Sequence, residues 1–230
     1  MKKVVVLTGA GMSAESGILT FRDMGGWWQN YRIEEVASPQ AWETNRQMVL
    51  DFYNIRRKQL YEVEPNAGHY ALVELEKKYD VQIVTQNVDD LHERAGSSDV
   101  LHLHGELKKV RSERNPDLVY TLDGWELKEG DLAEDGAQLR PHIVWFGESV
   151  PMIDMAVRIV KLADILIVIG TSLQVYPAAG LIGYAPSYCR KYYIDPNAAE
   201  AALPGVVSVA DKATSGTRRV VDELLNRKDD

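Results

Sequence analysis

The chain has 230 residues, of which 45% are hydrophobic and 26% charged, a composition typical of a globular protein with one sizeable core. Its net charge of −8 provides no positive field for phosphates, which argues against general binding of nucleic acid. The single cysteine, Cys189, excludes an intrachain disulfide and a thiolate zinc cluster and suits a reducing compartment. The apolar run after Met1 is too short to export or anchor the chain, so we expect a cytoplasmic protein without a membrane partner.

The first predicted strand, Val4 to Leu7, leads into the turn Gly9-Ala10-Gly11, with Ser13 and Ala14 opening a short helix. Gly9, Gly11 and Ala14 have the spacing of the dinucleotide-binding fingerprint. In that geometry, backbone N–H groups at the start of the helix face an anion. The alternative interpretation is a tight strand-to-helix turn without a ligand.

Helical and strand patterns then alternate along the chain. Helices are predicted over 39–62, 152–162 and 217–225, and another follows Pro65-Asn66 with Ala71, Leu72 and Leu75 on one face. Further strands are predicted over 81–85, 100–103, 141–146, 164–169 and 191–194, with an irregular inserted module over 111–139. This alternation predicts an α/β fold with a doubly wound, Rossmann-like parallel sheet, in which ligands bind beyond the carboxyl ends of the strands.

Five polar motifs follow predicted strands in a fixed order. They are the glycine loop with Ser16-Gly17-Ile18 and Phe21-Arg22, then Thr85-Gln86-Asn87-Val88-Asp89, His104-Gly105, Trp145-Phe146-Gly147-Glu148 and Gly170-Thr171-Ser172. Their order and spacing resembles the sirtuins, the NAD-dependent protein lysine deacylases, over essentially the whole chain. The resemblance implies that the acyl oxygen of a modified lysine attacks the ribose carbon bearing nicotinamide. Nicotinamide leaves, an alkylimidate forms, and water completes transfer of the acyl group to ADP-ribose.

The resemblance implies roles for individual residues. His104 is the expected general base, because an unperturbed pKa near 6.5 suits proton removal at neutral pH. Asn87 is the second expected catalytic residue. The expected cofactor-binding residues are Gly9, Ala10, Gly11, Ser13, Ala14, Phe21, Arg22, Trp28, Gln86, Asn87, Asp89, Gly170, Thr171, Ser172 and Ala213. The expected substrate-binding residues are Tyr53, Arg56, Val144, Phe146, Gly147 and Glu148.

For two of these assignments a structural alternative stays open. His104 could be a satisfied structural histidine, which is the default for the other four histidines. Asn87 and Asp89 could serve as a cap for the helix that follows them.

Tyr53 and Arg56 lie three residues apart on a predicted helix and therefore share a face. They resemble the Tyr-x-x-Arg pair of the sirtuin branch that removes acidic acyl groups such as succinyl and malonyl. Arg offers a planar fork to a distal carboxylate, and Tyr adds a hydroxyl donor. We expect deacetylation to be retained. The alternative is a core tyrosine beside a surface salt bridge of the arginine.

The resemblance also implies one sirtuin-type domain over 1–230. Its large Rossmann-like part is expected over about 1–30, 66–106 and 142–230. Its small module is expected over 31–65, which is helical, and 107–141, which is the counterpart of a zinc module.

The sequence departs from the sirtuin pattern at several positions. Most sirtuins carry four cysteines in the small module, but Ser112-Glu113-Arg114-Asn115 and residues 131–138 contain none. We therefore expect NAD as co-substrate and no zinc. Leu19 replaces a usual proline, and Tyr193 stands where an asparagine commonly meets the adenine ribose, a role that Asp195 or Asn197 could take.

Other functions remain to be weighed. The same pocket would serve mono-ADP-ribosylation or NAD hydrolysis, although neither needs Tyr53 and Arg56. An idle NAD-sensing module would need neither His104 nor Asn87. The expected partners are acyl-lysine proteins, and the sequence does not indicate an oligomeric state.

Overall fold

The computed structural model describes residues 1–18, 31–201 and 203–227, together with the backbone of 27–28; residue 31 is likewise described by its backbone. The strands are β1 Lys3–Thr8, β2 Trp27–Trp28, β3 Tyr31–Arg32, β4 Asp80–Thr85, β5 Val100–His102, β6 Gly105–Ser112, β7 Val119–Thr121, β8 Leu139–Ile143, β9 Ile165–Ile169, β10 Arg190–Ile194 and β11 Val206–Val209. The helices are α1 Gly11–Ala14, α2 Ile33–Val36, α3 Pro39–Thr44, α4 Arg46–Leu60, α5 Ala67–Leu75, α6 Leu91–Ala95, α7 Ile153–Val160 and α8 Ala213–Asn226, with a 3-10 helix at Ala178–Tyr184.

Six strands form one parallel sheet in the order β11-β10-β9-β1-β4-β5. In the register of the three central strands, Thr8 pairs with Thr85 on one side and with Ile169 on the other. These three strands therefore end together at one edge. The predicted doubly wound parallel sheet is confirmed.

Alternate residues of β1 enter separate cores on the two faces of the sheet, as the period of two in a strand requires. Val4 and Val6 pack with α5 and α8 residues, whereas Val5 and Leu7 pack with residues of α7 and the 3-10 helix. All four are at most 4% exposed. Burial on both faces explains why this strand is a continuous apolar run.

A second, antiparallel sheet has the order β7-β6-β8. A third hydrophobic cluster joins the helices between residues 33 and 60 to this small sheet and its loops, through side chains such as Phe52, Leu107, Leu127 and Ile143. The predicted strand over 141–146 was wrong in its placement, because β8 ends at Ile143 and pairs with β6 rather than with the parallel sheet.

Two further expectations need correction. The helix predicted over 39–62 is broken at Asn45, whose side chain accepts a hydrogen bond from the Met48 N–H at 3.3 Å and so starts a new helix. The segment over 111–139 contains β7 and borders β6 and β8, so it is more regular than its turn-rich sequence indicates. None of the described helices is long and apolar enough to cross a membrane.

Candidate active site

A cavity of about 1010 Å³ opens at the carboxyl ends of β1, β4 and β9 and extends to the small module. It is lined by every predicted site residue whose side chain the structure describes. These are Gly9, Ala10, Gly11, Ser13, Ala14, Tyr53, Arg56, Gln86, Asn87, Asp89, His104, Val144, Phe146, Gly147, Glu148, Gly170, Thr171, Ser172 and Ala213. Phe21 and Arg22, with the departure at Leu19, lie outside the described residues, as does the side chain of Trp28.

The glycine turn after β1 is pressed against the turn after β9. The N–H groups of Gly9 and Gly11 donate to the carbonyls of Ile169 and Gly170 at 3.0 and 2.9 Å. A Cβ on Gly11 would lie 2.7 Å from the Gly170 Cα, which no side chain tolerates. The sequence pattern ascribes these glycines to the approach of a ligand, but the neighbouring turn alone already requires them.

The same turn has fewer free donors than the fingerprint predicts. Besides the two glycine N–H groups, the N–H groups of Met12 and Ser13 donate to the carbonyls of Gly9 and Ala10. Four N–H groups are thus used inside the protein. These four groups are therefore not available to an anion in this structure.

A hydrogen-bond network links the turn after β1 to the turn after β4. The Asn87 amide donates to the Gly9 carbonyl at 3.1 Å and to the Ser13 hydroxyl at 3.2 Å. The Ser13 hydroxyl in turn donates to Asp89 Oδ2 at 2.9 Å, and the Leu91 N–H donates to Asp89 Oδ1 at 3.2 Å. Burial raises the pKa of Asp89, and the Ser13 and Leu91 hydrogen bonds oppose this rise. The network fixes the Asn87 side chain, and Asp89 also makes the capping contact named as its structural alternative.

Gln86 and Thr171 connect the turns after β4 and β9. The Gln86 amide donates to Thr171 Oγ1 at 3.3 Å, and the Tyr193 hydroxyl donates to the Thr171 carbonyl at 2.9 Å. Tyr193 therefore supports the turn from behind. Asp195 and Asn197 were the two candidates for the contact to the adenine ribose. Asp195 lines the cavity and accepts the Asn197 N–H at 2.9 Å.

His104 follows β5 and stands at the centre of the cavity edge. Its Nδ1–H donates to the Gln86 carbonyl at 3.1 Å, since a carbonyl can only accept. In the neutral ring this contact leaves the lone pair on Nε2, the form that a base needs. Burial lowers the pKa of His104, and the Gln86 hydrogen bond opposes the change.

Gly105, which follows His104, has a backbone conformation and close neighbours that exclude a side chain. Gly105 has a φ of 84°, and a Cβ there would collide with the His142 carbonyl oxygen. The start of β6 against β8 therefore requires a glycine at this position. The requirement is one of backbone packing.

Tyr53 and Arg56 project from α4 into the part of the cavity next to the small module. Burial raises the pKa of Tyr53 to about 12, so the phenol stays protonated at neutral pH. Burial lowers the pKa of Arg56 to about 10, which leaves the guanidinium charged. This end of the cavity thus combines a neutral hydroxyl and a fixed positive charge.

Three residues of this region escaped the sequence interpretation. Trp145 Nε1–H donates to the Tyr53 hydroxyl oxygen at 3.0 Å, and Arg140 stacks over the Trp145 ring at 3.4 Å. His102 donates its Nδ1–H to the Asn87 carbonyl at 3.0 Å and so holds the backbone of that residue. The motif Trp145-Phe146-Gly147-Glu148 could have pointed to Trp145 as part of the site. No pattern in the sequence points to Arg140 or His102.

Comparisons with known proteins agree with this geometry. The model of the Sir2 family matches residues 9–177. An NAD-dependent protein deacylase of Helicobacter pylori strain J99 is 59% identical over 98% of this chain and 96% of its own length. One from Bacteroides thetaiotaomicron is 54% identical over 98% of each chain.

Solved structures extend the similarity to three dimensions. A Sir2 homologue in complex with NAD superposes with a TM-score of 0.86 and 39% identity, over 97% of this chain and 90% of the other. A Sir2 protein with a deacetylated p53 peptide and 3′-O-acetyl ADP-ribose gives 0.76 and 29%, over 96% and 92%. The matched family model, the relatives and the fold agree, and the chain belongs to the Sir2 family.

Proposed function

We propose that this chain directs its NAD-dependent protein deacylase activity preferentially to acyl-lysines whose acyl group ends in a carboxylate, succinyl and malonyl among them. Acetyl-lysine is a poorer substrate in this proposal. One observation carries it: Tyr53 and Arg56 line the same cavity as His104 and Asn87. From one helix, a guanidinium and a phenolic hydroxyl thus line the cavity, and this pair of hydrogen-bond donors suits a carboxylate.

The residues at the reacting end divide the work as follows. His104 accepts a proton on Nε2 from a ribose hydroxyl, with its orientation fixed by the Gln86 carbonyl. Asn87 and Ser13, held in one network with Asp89, orient the nicotinamide end of NAD, which the acyl oxygen then displaces from the ribose carbon. NAD supplies the electrophilic ribose carbon and is consumed. Each of these groups needs only to bind, orient or move a proton.

Mono-ADP-ribosylation and NAD hydrolysis are less well supported. Both would use the reacting end alone, and neither gives a reason for a cationic side chain at the acyl end. An idle sensor would not require His104 in the tautomer that leaves Nε2 unprotonated.

We also propose that the small module holds no zinc. Ser112 is 1% exposed. Its hydroxyl donates to Asp135 Oδ2 at 2.7 Å and accepts hydrogen bonds from the N–H groups of Arg114 and Asn115 at 3.1 Å. Its lone pairs and proton are thus engaged within the protein. The residues at 112–115 and 131–138 offer hydroxyl, amide and carboxylate oxygens but no cysteine or histidine, so they do not fit Zn²⁺, which prefers thiolate and imidazole.

Two further proposals concern the domain organisation and the cellular compartment. We propose that 31–65 and 107–141 form one small module, because one hydrophobic cluster draws on both stretches. We further propose a cytoplasmic enzyme that acts on acyl-lysine proteins, with its only cysteine buried.

The test compares succinyl-, malonyl- and acetyl-lysine forms of one peptide in the presence of NAD. We expect His104→Ala to abolish turnover of all three. Arg56→Met should lower kcat/KM for succinyl-lysine about 10- to 100-fold, the loss of a charge-assisted hydrogen-bond pair, and lower acetyl turnover far less. Lys58→Met is the control, because it removes an exposed cation from the same helix. Equal losses for succinyl and acetyl substrates with Arg56→Met would refute the acidic-acyl preference.

A further inference from the structure

The hydroxyl of Tyr53 has its hydrogen-bonding direction set by a neighbour that can only donate. Trp145 Nε1–H points at the Tyr53 oxygen at 3.0 Å, and an indole N–H has no lone pair to offer in return. Tyr53 is 3% exposed and Trp145 2%, so water does not compete for this contact. The Tyr53 oxygen therefore acts as acceptor towards Trp145, and its own proton is left for another acceptor.

Trp145 is itself held from two sides. Its backbone N–H donates to Glu148 Oε2 at 2.8 Å. Arg140 binds both oxygens of Glu148 at 2.8 and 3.1 Å and stacks over the indole at 3.4 Å. The indole is thus fixed by a stacked guanidinium and by a hydrogen bond from its own backbone.

We propose that Trp145 is a positioning residue for acyl selection: by donating to the Tyr53 oxygen, it turns the phenolic proton towards an acyl carboxylate in the cavity. This inference rests on the proposed preference for acidic acyl groups. With Tyr53 aligned in this way and Arg56 beside it on α4, the acyl end of the cavity presents donors. A terminal carboxylate only accepts hydrogen bonds, so it can bind both side chains.

The inference gives a reason for the ion pair of Arg140 and Glu148 beside the cavity. Glu148 gives both carboxylate oxygens to Arg140 and Trp145. Its role here is to hold the loop that carries Trp145 in register with α4.

The test is a double-mutant cycle on two substrates of equal chain length, succinyl-lysine and butyryl-lysine, the second ending in a methyl group. Trp145→Phe keeps an aromatic ring and deletes the N–H. We expect it to raise KM for succinyl-lysine about fivefold or more relative to butyryl-lysine, with kcat changing less. Tyr53→Phe should give a shift of similar size. In the Tyr53→Phe background, Trp145→Phe should add less than about twofold, because its partner is already missing.

Two outcomes would overturn the inference: equal effects of Trp145→Phe on both substrates, or an undiminished effect in the Tyr53→Phe background. If Trp145→Phe does not fold, 3-benzothienylalanine at position 145 removes the N–H with the ring shape kept, and the same criteria apply. Arg56→Met distinguishes a failure of the proposed function from a failure of the inference about Trp145. If it leaves the succinyl preference intact, the proposed function fails; if it abolishes the preference and Trp145→Phe does not alter it, only the inference fails.

Discussion

His69 gives the protein a specific sensitivity to acid that can be calculated. The residue is fully buried in the first turn of α5, where its Nδ1 accepts the Asn66 N–H at 3.2 Å. Its ring lies 4.8 Å from that of His92. Burial lowers the pKa of His69 from 6.5 to about 4. Protonation would also place a second hydrogen between Nδ1 and the Asn66 N–H.

A base with a lower pKa in the folded than in the unfolded chain stabilises the fold above the unfolded pKa. That contribution is lost as the pH falls. For His69 the loss begins near pH 6.5 and is complete near pH 4. It amounts to about 2 kcal/mol at about pH 5 and about 3 kcal/mol at the limit. In a chain of this length, about 2 kcal/mol corresponds to about 4–8 °C in Tm.

His69→Gln tests this directly, because glutamine at the third helical position can still accept the N-cap N–H and does not titrate. We expect urea unfolding to show that His69→Gln gains about 2 kcal/mol relative to the wild type between about pH 7.5 and pH 5. Carboxylates that titrate in both proteins cancel in this comparison. The pKa of His92 is lowered by burial and then by His69, so its recovery in the variant acts in the same direction. Parallel stability curves for the two proteins would refute the reasoning.

Two further predictions concern the base and the small module. Because burial lowers the pKa of His104 and the base must be neutral, the acid limb of kcat/KM should lie below pH 6.5; a limb above that value would contradict the assignment. Elemental analysis should find no zinc, and chelators should leave Tm unchanged. Ser112→Ala should lower the free energy of unfolding by about 1–3 kcal/mol, because it breaks the contact to Asp135 and leaves buried N–H groups unpaired. One tightly held zinc per chain would contradict that account.

The central sheet and its ligand-binding edge could be predicted from the sequence for a simple reason. β1 and β9 are buried on both faces, so each is a continuous apolar run followed by a glycine turn. Parallel strands bring such turns to one edge regardless of the details between them. The motifs after Thr8, Thr85 and Ile169 therefore meet in space as their order along the chain implies.

The edge strand β11 and the small module could not be predicted in this way. β6 is half exposed and carries three basic residues among eight, so its alternation is masked by charge. β11 has four residues and only Val209 is buried. Such strands form because neighbouring strands offer hydrogen bonds, β7 and β8 to β6 and β10 to β11, and a single strand's own sequence does not show these partners.

The contacts that orient the candidate site escaped prediction for the same reason. Tyr53 and Trp145 are 92 residues apart, and neither has a local pattern that points to the other. Gly11 was assigned to the cofactor from its motif, and the structure shows in addition that the nearby Gly170 backbone requires a glycine there. A sequence motif reveals that a residue type is needed but does not reveal which neighbour needs it.

The two ends of the cavity depend on different cores, and this has a consequence for how the activity can change. His104 and Asn87 follow strands of the parallel sheet, whereas Tyr53 and Trp145 belong to the hydrophobic cluster of the small module. If the proposed function holds, we expect a substitution in that cluster to change the accepted acyl group while His104 and Asn87 stay in place. A substitution around His104 and Asn87 should instead affect every acyl substrate, because all of them react at the same ribose. Variation in acyl preference among chains with this fold should accordingly concentrate in α4 and the loop after β8.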